Sequence, residues 1–318
     1  MTGTNVVAIE GIAKRFSGHV AVAGLSLQVP KGAVYGLLGP NGAGKTTTIR
    51  MIMNITIPDE GSIELFGDRL GGRHHSARIG YLPEERGLYR KMRVRDMLVF
   101  LAEAKGVDRT RGGAKADEWL RRLDLADWGP RKVEELSKGM QQKVQFIGTM
   151  LHEPELLILD EPFSGLDPIN QQVLRDIIVH LARSGATIIF STHQMDVAEK
   201  ICDHVCIIAR GQKVLDGGLA EVKRVHGGTH VAVAFEDTAA SAEAMRAVAD
   251  LVAAADDAGV FAELKLKEGV DPQTVLERLM QTHVRIRRFE RIEPSLNRIF
   301  LDKAGPEAAI AATEVAHA

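Results

Sequence analysis

The chain has no apolar run approaching the roughly 18 residues that a membrane-spanning helix needs. Its opening residues, MTGTNVVAIEG, lack the basic and apolar blocks of a secretory signal. A cytoplasmic protein is therefore expected, with any membrane role borrowed from a partner. Cysteine is scarce, with only Cys202 and Cys206 present, which agrees with a reducing compartment. Their spacing would allow a metal pair. However, Cys202 falls at the end of a helical stretch and Cys206 within the strand-like run HVCIIAR, so buried structural thiols are expected. Neither sign of charge dominates: the net charge of −2 gives no global electrostatic reason to expect nucleic acid. The charged fraction of 26% and hydrophobic fraction of 45% are those of an ordinary globular protein. A length of 318 residues suggests one large and one small domain.

Glycine is used pointedly, in GPNGAGKT from Gly39 to Thr46. The stretch comes after the β-leaning run Ala33 to Leu38 and opens a segment with helical spacing at Ile49, Ile52 and Met53. Strand, glycine loop and helix is the setting in which G-x-x-x-x-G-K-[ST] reads as a phosphate-binding loop. Gly39, Gly42 and Gly44 let the backbone curl with its N–H groups inward, and they place no Cβ in a ligand's way. The helix that starts near Lys45 adds free N–H groups and its positive dipole end. Lys45 is expected on the β- and γ-phosphates of a nucleotide and the Thr46 hydroxyl on Mg²⁺. The bland alternative is a glycine turn without a ligand.

Short apolar pieces between residues 6 and 38 read as an N-terminal sheet that delivers the chain into the glycine loop. Phe16, after Lys14 and Arg15 and ahead of a Gly turn, reads from its surroundings as a core or edge residue. His74 and His75 lie in a polar Gly/Arg segment with no carboxylate or cysteine at ligand spacing and are expected to be solvated. A strand ending in YLP precedes the loop PEERGLY. From Val94 to about Leu151 the period is helical, with Met97, Leu98, Leu101 and Ala102 on one face and Trp119, Leu120, Leu123 and Leu125 on another. The basic run around Arg90 to Arg95 is expected to be a solvated face. Strand–helix alternation resumes with LLILD, a helix after Pro168, TIIFSTH, and a hairpin formed by HVCIIAR and QKVLDGG. Continuous apolar strands alternating with amphipathic helices indicate a mostly parallel sheet covered on both faces. The expected organisation is an α/β domain over 1–221 with a helical subdomain at about 87–150. Beyond it are expected a small α+β domain over 222–303 and a disordered tail over 304–318.

Two acids end the strand LLILD: Asp160 can hold Mg²⁺, and Glu161 can orient or deprotonate a water attacking the γ-phosphate. Unpaired buried charge is costly, so packing alone does not account for them. His193, at the tip of a neighbouring strand, sits on the C-terminal edge where such sheets bind ligands, and a γ-phosphate contact is expected.

The ordered set LSKGMQQK (Leu136 to Lys143), LLILDEP, SGLD (Ser164 to Asp167) and STHQM resembles the nucleotide-binding subunit of ATP-binding-cassette (ABC) transporters over residues 6 to about 220. The resemblance implies a P-loop ATPase that binds ATP with Mg²⁺ and works beside a second copy of itself or a related subunit. It implies nucleotide contacts from Gly39, Pro40, Asn41, Gly42, Ala43, Gly44, Lys45, Thr46 and Thr47. LSKGM would be the signature motif, reaching ATP on the opposite subunit through Ser137, Gly139 and Met140, and Asp167 would belong to the loop that crosses the dimer interface. Phe16 becomes the aromatic that stacks on adenine, and Glu84 a contact to Mg²⁺ or water. Catalytic roles fall to Glu161, His193 and Lys45, and metal contacts to Thr46, Asp160 and Glu84. Lys138 and Met140 depart from the family's usual LSGGQ, Glu84 from its usual glutamine, and Phe16 from tyrosine. EPSLNRIFLDK is similar to the C-terminal domain of ATPase subunits of ABC-2-type exporters, which work with a separate membrane permease.

The leading expectation is thus an ATPase that powers export through such a permease, peripheral on the inner face of the cell membrane. The alternative is an ABC ATPase acting on nucleic acid or ribosomes. Two cassettes in one chain or a long coiled-coil insertion would favour it, and neither is visible. A P-loop kinase gives no reason for LSKGM or SGLD.

Overall fold

A computed structural model describes residues 5–69, 75–85, 87–226, 228–257 and 259–304. Apolar residues alternating near the N-terminus form two long antiparallel strands, β1 (Asn5–Phe16) and β2 (His19–Pro30), with Phe16 paired to His19 across the turn. β3 (Val34–Leu38) is buried throughout and runs through the glycine loop into α1 (Lys45–Ile52). β4 (Glu60–Leu65) joins the first pair in a three-stranded antiparallel sheet ordered β2-β1-β4.

β5 (Ile79–Leu82) leads into three helices, α2 (Val94–Ala104), α3 (Arg109–Arg122) and α4 (Lys138–Met150). Val94, Met97, Leu98 and Ala102 bury one face of α2, with Leu120 and Leu123 buried on and after α3. The chain then alternates β6 (Leu156–Asp160), α5 (Pro168–Arg183), β7 (Thr187–Thr192), α6 (Met195–Ile201), β8 (His204–Ala209) and β9 (Gln212–Gly218). These strands make a six-stranded sheet, β5-β6-β7-β3-β8-β9, parallel except for the β8–β9 hairpin. β3, β6 and β7 are buried along their whole length, as strands covered on both faces must be. Leu38 lies opposite Thr192 and Ser191 opposite Asp160. The residues just past these strand ends, Gly39, Glu161 and His193, therefore emerge at one edge of the sheet.

A second compact unit spans Leu219–Lys303. It contains α7 (Leu219–His226), β10 (His230–Phe235), α8 (Thr238–Ala247), β11 (Val252–Asp257), β12 (Phe261–Leu266), α9 (Pro272–Gln281), β13 (Ile286–Ile292) and α10 (Leu296–Ala304). Its antiparallel sheet runs β11-β12-β10-β13, and Val231, Val233, Leu264, Ala244, Val275 and Leu279 share its core with α8 and α9. The unit begins at the start of α7, so a cut after Glu221 falls inside a helix. Ala304 ends α10, and the rest of the expected tail lies outside the described residues.

Two further sequence expectations meet the structure differently. His75 is buried, with Nε2 3.0 Å from Asp68 Oδ2 and its ring 5.1 Å from that of Phe66. The turn after β4 thus supplies both a carboxylate and an aromatic wall to a residue expected in solvent; His74 lies outside the described residues. Both cysteines are free and buried, and burial pushes their thiols up. Cys202 Sγ fills the space that a Cβ on Gly36 would need. Among the described residues no helix is long and apolar enough to cross a membrane.

Candidate active site

Steric demand fixes the loop between β3 and α1. Gly39 and Gly44 have φ of 147° and 106°, and a Cβ on either would lie 2.1 Å from Ile208 O or 2.4 Å from Ala21 O. Protein backbone, rather than a ligand, is what excludes side chains there. Gly42 (φ 76°) faces open space, so its glycine answers to backbone conformation alone. The loop is braced from outside: Gly39 N donates to Thr192 O (3.3 Å) and Gly211 N to Ala43 O (3.0 Å). Lys45, only 5% exposed, donates from Nζ to the carbonyls of Gly39 (2.8 Å) and Pro40 (3.1 Å). Its Nζ also lies 3.4 Å from Glu161 Oε1.

The acidic side is built from the ends of β6 and β7. Asp160 is fully buried; its Oδ1 accepts from Thr46 Oγ1 (3.2 Å) and Ser191 Oγ (2.5 Å), while Oδ2 has no partner. Burial, partly offset by those two donors, raises its pKa above the usual aspartate value. Glu161 takes the left-handed conformation at φ 46°, uncommon for a side chain of its size. Its N–H donates to both Ser191 Oγ (3.0 Å) and Ser191 O (3.2 Å), which holds the turn. That turn carries the Glu161 carboxylate back toward Lys45 and to within 3.2 Å of His193 Nδ1. Strained backbone of this kind is concentrated at functional sites.

A cleft of about 330 Å³ opens over the loop, lined by Phe16, His19, Ala21, residues 41–47, Glu84 and Glu161. Phe16 is 51% exposed, so it is not a core residue. It belongs to the cleft wall with Lys14 Nζ 5.7 Å from its ring centre. Glu84 has its carboxyl raised, first by burial and then by the nearby charges of Asp160 and Glu161. The alternative for Glu84, a solvent-facing loop acid paired with Arg86, falls partly outside the described residues, since Arg86 is not among them. Gly39, Pro40, Asp160 and His193 stand behind the lining and hold Lys45, Thr46 and Glu161 in position.

The donor set suits Mg²⁺. This ion is commonly held by one or two carboxylates together with substrate phosphates and waters. A buried carboxylate oxygen without a partner beside a threonine hydroxyl is such a half-complete set. Among the described residues no group of three or more His, Cys, Asp or Glu converges into a closed cage.

Ser137, Gly139, Met140 and Asp167 do not line this cleft. Ser137 caps α4, its Oγ accepting from Met140 N (3.3 Å). Asp167 caps α5, accepting from Asn170 N (2.9 Å). A Cβ on Gly139 would lie 3.7 Å from Leu166 Cδ2, so the two helix starts are neighbours. His19 and Ala21 belong to the site but to no recognisable motif, and Ser191, within STHQM, carries no expected role there. Only the position of His19 across the Gly18 turn from Phe16 hints at the first, and Ser191 is marked by its place two residues before His193.

Comparison with known proteins supplies the frame. The family described as "ABC transporter" matches residues 22–164, and "ATP-binding protein DrrA1-3-like, C-terminal domain" matches 217–304. The chain is 44% identical over 307 residues to the ABC transporter ATP-binding protein YhaQ of Bacillus subtilis, covering 94% of this chain and 99% of that one. It is 30% identical over 318 residues to the daunorubicin/doxorubicin resistance ATP-binding protein DrrA of Streptomyces peucetius, covering 98% and 96%. A solved structure described as the ATP-binding subunit of an ABC transporter superposes with a TM-score of 0.64 at 30% identity, covering 69% of this chain and 92% of that one. With a glycine loop between a buried strand and a helix, a buried aspartate beside it and these relatives, the chain belongs to the ATP-binding, ATP-hydrolysing proteins of ABC transporters.

Proposed function

We propose that this chain is the energy-coupling ATPase of an exporter, working in pairs and attached to a separate permease on the inner face of the membrane. The observation that carries the reading is a division of labour. Lys45, Thr46, Glu84, Asp160, Glu161 and His193 gather round one cleft or its wall, while the helix starts at Ser137 and Asp167 lie outside its lining. A second copy bringing its Ser137, Gly139 and Met140 over the cleft would complete the site. The name of one relative supports the export direction: the Nod factor export ATP-binding protein I of Ralstonia nicotianae, 35% identical over 216 residues that cover 67% of each chain.

In this reading ATP stacks its adenine on Phe16 and lays its phosphates along residues 39–47. Lys45 leaves Glu161 for the β- and γ-phosphates. Thr46, Asp160 and Glu84 would hold the magnesium ion, which neutralises phosphate charge when bound. Glu161, released from Lys45, accepts a proton from water as the water oxygen bonds to the γ-phosphorus. The bond from that phosphorus to the β–γ bridging oxygen breaks, and ADP departs with the electron pair. His193 orients Glu161 and reaches toward the γ-phosphate. Binding closes the pair, hydrolysis reopens it, and α2 to α4 pass the motion to the permease.

Membrane fractionation tests the reading. Salt-washed membranes should retain the chain when its permease is co-expressed and lose it otherwise. Retention without the permease, or co-purification with nucleic acid in its place, would overturn it.

A further inference from the structure

Backbone pairing joins two basic stretches that are far apart in sequence. Val94 N donates to Arg131 O (2.9 Å), Val133 N to Met92 O (3.0 Å) and Glu134 N to Arg90 O (3.0 Å), with a bridge between Arg93 and Lys132. The resulting ribbon carries Arg90, Lys91 and Arg93 on one strand and Arg131 and Lys132 on the other, all exposed. Arg131 and Lys132 each have an acidic neighbour, Glu135 and Glu134, at a loose 3.7 Å. Arg90, Lys91 and Arg93 make no ion pair among the described residues. Beside them Tyr89 and Phe100, 52% and 45% exposed, meet edge to face with ring centres 5.6 Å apart. In a chain of net charge −2, this is a local concentration of one sign next to exposed aromatic surface.

We propose that this ribbon contacts the anionic headgroups of the lipid bilayer. The proposal rests on the reading that the chain works at a membrane face, and adds a lipid contact to the protein one. An anionic surface attracts each nearby Lys or Arg by about 1 kcal/mol, roughly fivefold in affinity. Tyrosine and other aromatic rings sit well where an apolar layer meets a wet one. An acidic protein segment would have to match three separate cations in fixed register, whereas a fluid headgroup layer meets any spacing. Three cations give a weak, salt-sensitive contact that orients the subunit without anchoring it alone, consistent with its loss in a salt wash.

Co-sedimentation of the full chain with vesicles, at low ionic strength, tests this. Vesicles of phosphatidylcholine with phosphatidylglycerol should bind the chain and vesicles of phosphatidylcholine alone should not. Added salt should release it. Combining Arg90→Ala, Lys91→Ala and Arg93→Ala should cost about a hundredfold in vesicle affinity, with ATP binding and melting temperature unchanged. Arg90→Lys with Arg93→Lys should keep the binding, since the charge is kept. Wild-type chain indifferent to phosphatidylglycerol, or a triple alanine variant that binds like wild type, overturns the proposal. So does a triple variant that keeps vesicle binding but loses the detergent-solubilised permease, which would assign the ribbon to an acidic protein segment. Failure to be retained by the permease with lipid binding intact would count against the exporter reading and not against this one.

Discussion

Lys45 and Glu161 form a buried ion pair, Nζ to Oε1 3.4 Å, although they come from different strand ends of the sheet. The cation that should serve the phosphates and the carboxylate that should serve the water thus begin by serving each other. Lys45→Ala removes the fixed cation and leaves Glu161 facing the phosphates unscreened. Charged hydrogen bonds are worth about 1.5–3 kcal/mol, so ATP affinity should fall by about a hundredfold. Titration with a fluorescent nucleotide measures it, and an affinity within threefold of wild type would remove Lys45 from the site.

Asp160→Asn should separate stability from function. Burial raises the Asp160 pKa in the folded state, so the protonated form is favoured there. Stability linked to that proton is present below the ordinary aspartate value of about 3.9 and is lost as pH rises through the raised value. The uncharged asparagine escapes this loss. Without nucleotide the variant should melt a few degrees higher at neutral pH and show a steeper acid limb, while losing the Mg²⁺ dependence of ATP binding. The limb steepens because Asp160 no longer offsets the stability lost as the carboxylates with lowered pKa, such as Asp117 and Glu155, are protonated. Melting curves across pH check the sign; a variant less stable than wild type at pH 7 contradicts it.

Glu84 lines the cleft where the family's usual residue is a neutral amide. A carboxylate is a harder oxygen ligand for Mg²⁺ and adds negative charge near the γ-phosphate when the metal is absent. ATP affinity should therefore depend more steeply on Mg²⁺ in the wild type than in Glu84→Gln. Binding titrations with and without the metal, in both proteins, decide it. Equal dependence would leave Glu84 an ordinary wall residue.

The parallel sheet and its loop were legible because their physics is local. LLILD and TIIFST are continuous apolar strands, and GPNGAGKT combines glycine positions with a helix start. The second unit was less so. β11 reads VAAADD, poor in the β-branched and aromatic residues that mark strands, and it exists through pairing with β12 at the sheet edge. Helix α7 is short, and its LAEVKRVH buries only Val222, leaving a faint periodic signal. His75 departs from its expected solvent surroundings because tertiary neighbours decide burial, with Phe66 and Asp68 enclosing it. For Phe16 the local sequence suggests core or edge, and only the family resemblance points to the cleft wall where the β1–β2 turn leaves it. The left-handed Glu161 has no sequence signature at all.

A chain ending at Gly218 should fold and bind ATP, because the cleft residues and their supports all precede that point. An interfacial or regulatory role is proposed for the second unit, whose described residues hold no group of three or more His, Cys, Asp or Glu placed to bind a metal. Circular dichroism and nucleotide titration of residues 1–218 test this. A folded fragment that cannot bind ATP would mean that part of the site lies beyond Gly218.

Glu161 is proposed to take the proton from the attacking water in a site completed by a second copy. Glu161→Gln removes the proton acceptor yet frees Lys45 for the phosphates, so it should bind MgATP at least as well as wild type. General-base loss typically costs 10²–10⁴ in rate, and hydrolysis should fall by about that much. Size-exclusion chromatography with light scattering, run in MgATP, is the direct measurement. Glu161→Gln should elute as a stable dimer and return to monomer when MgATP is withdrawn. A variant that stays monomeric in MgATP and hydrolyses at the wild-type rate would contradict it.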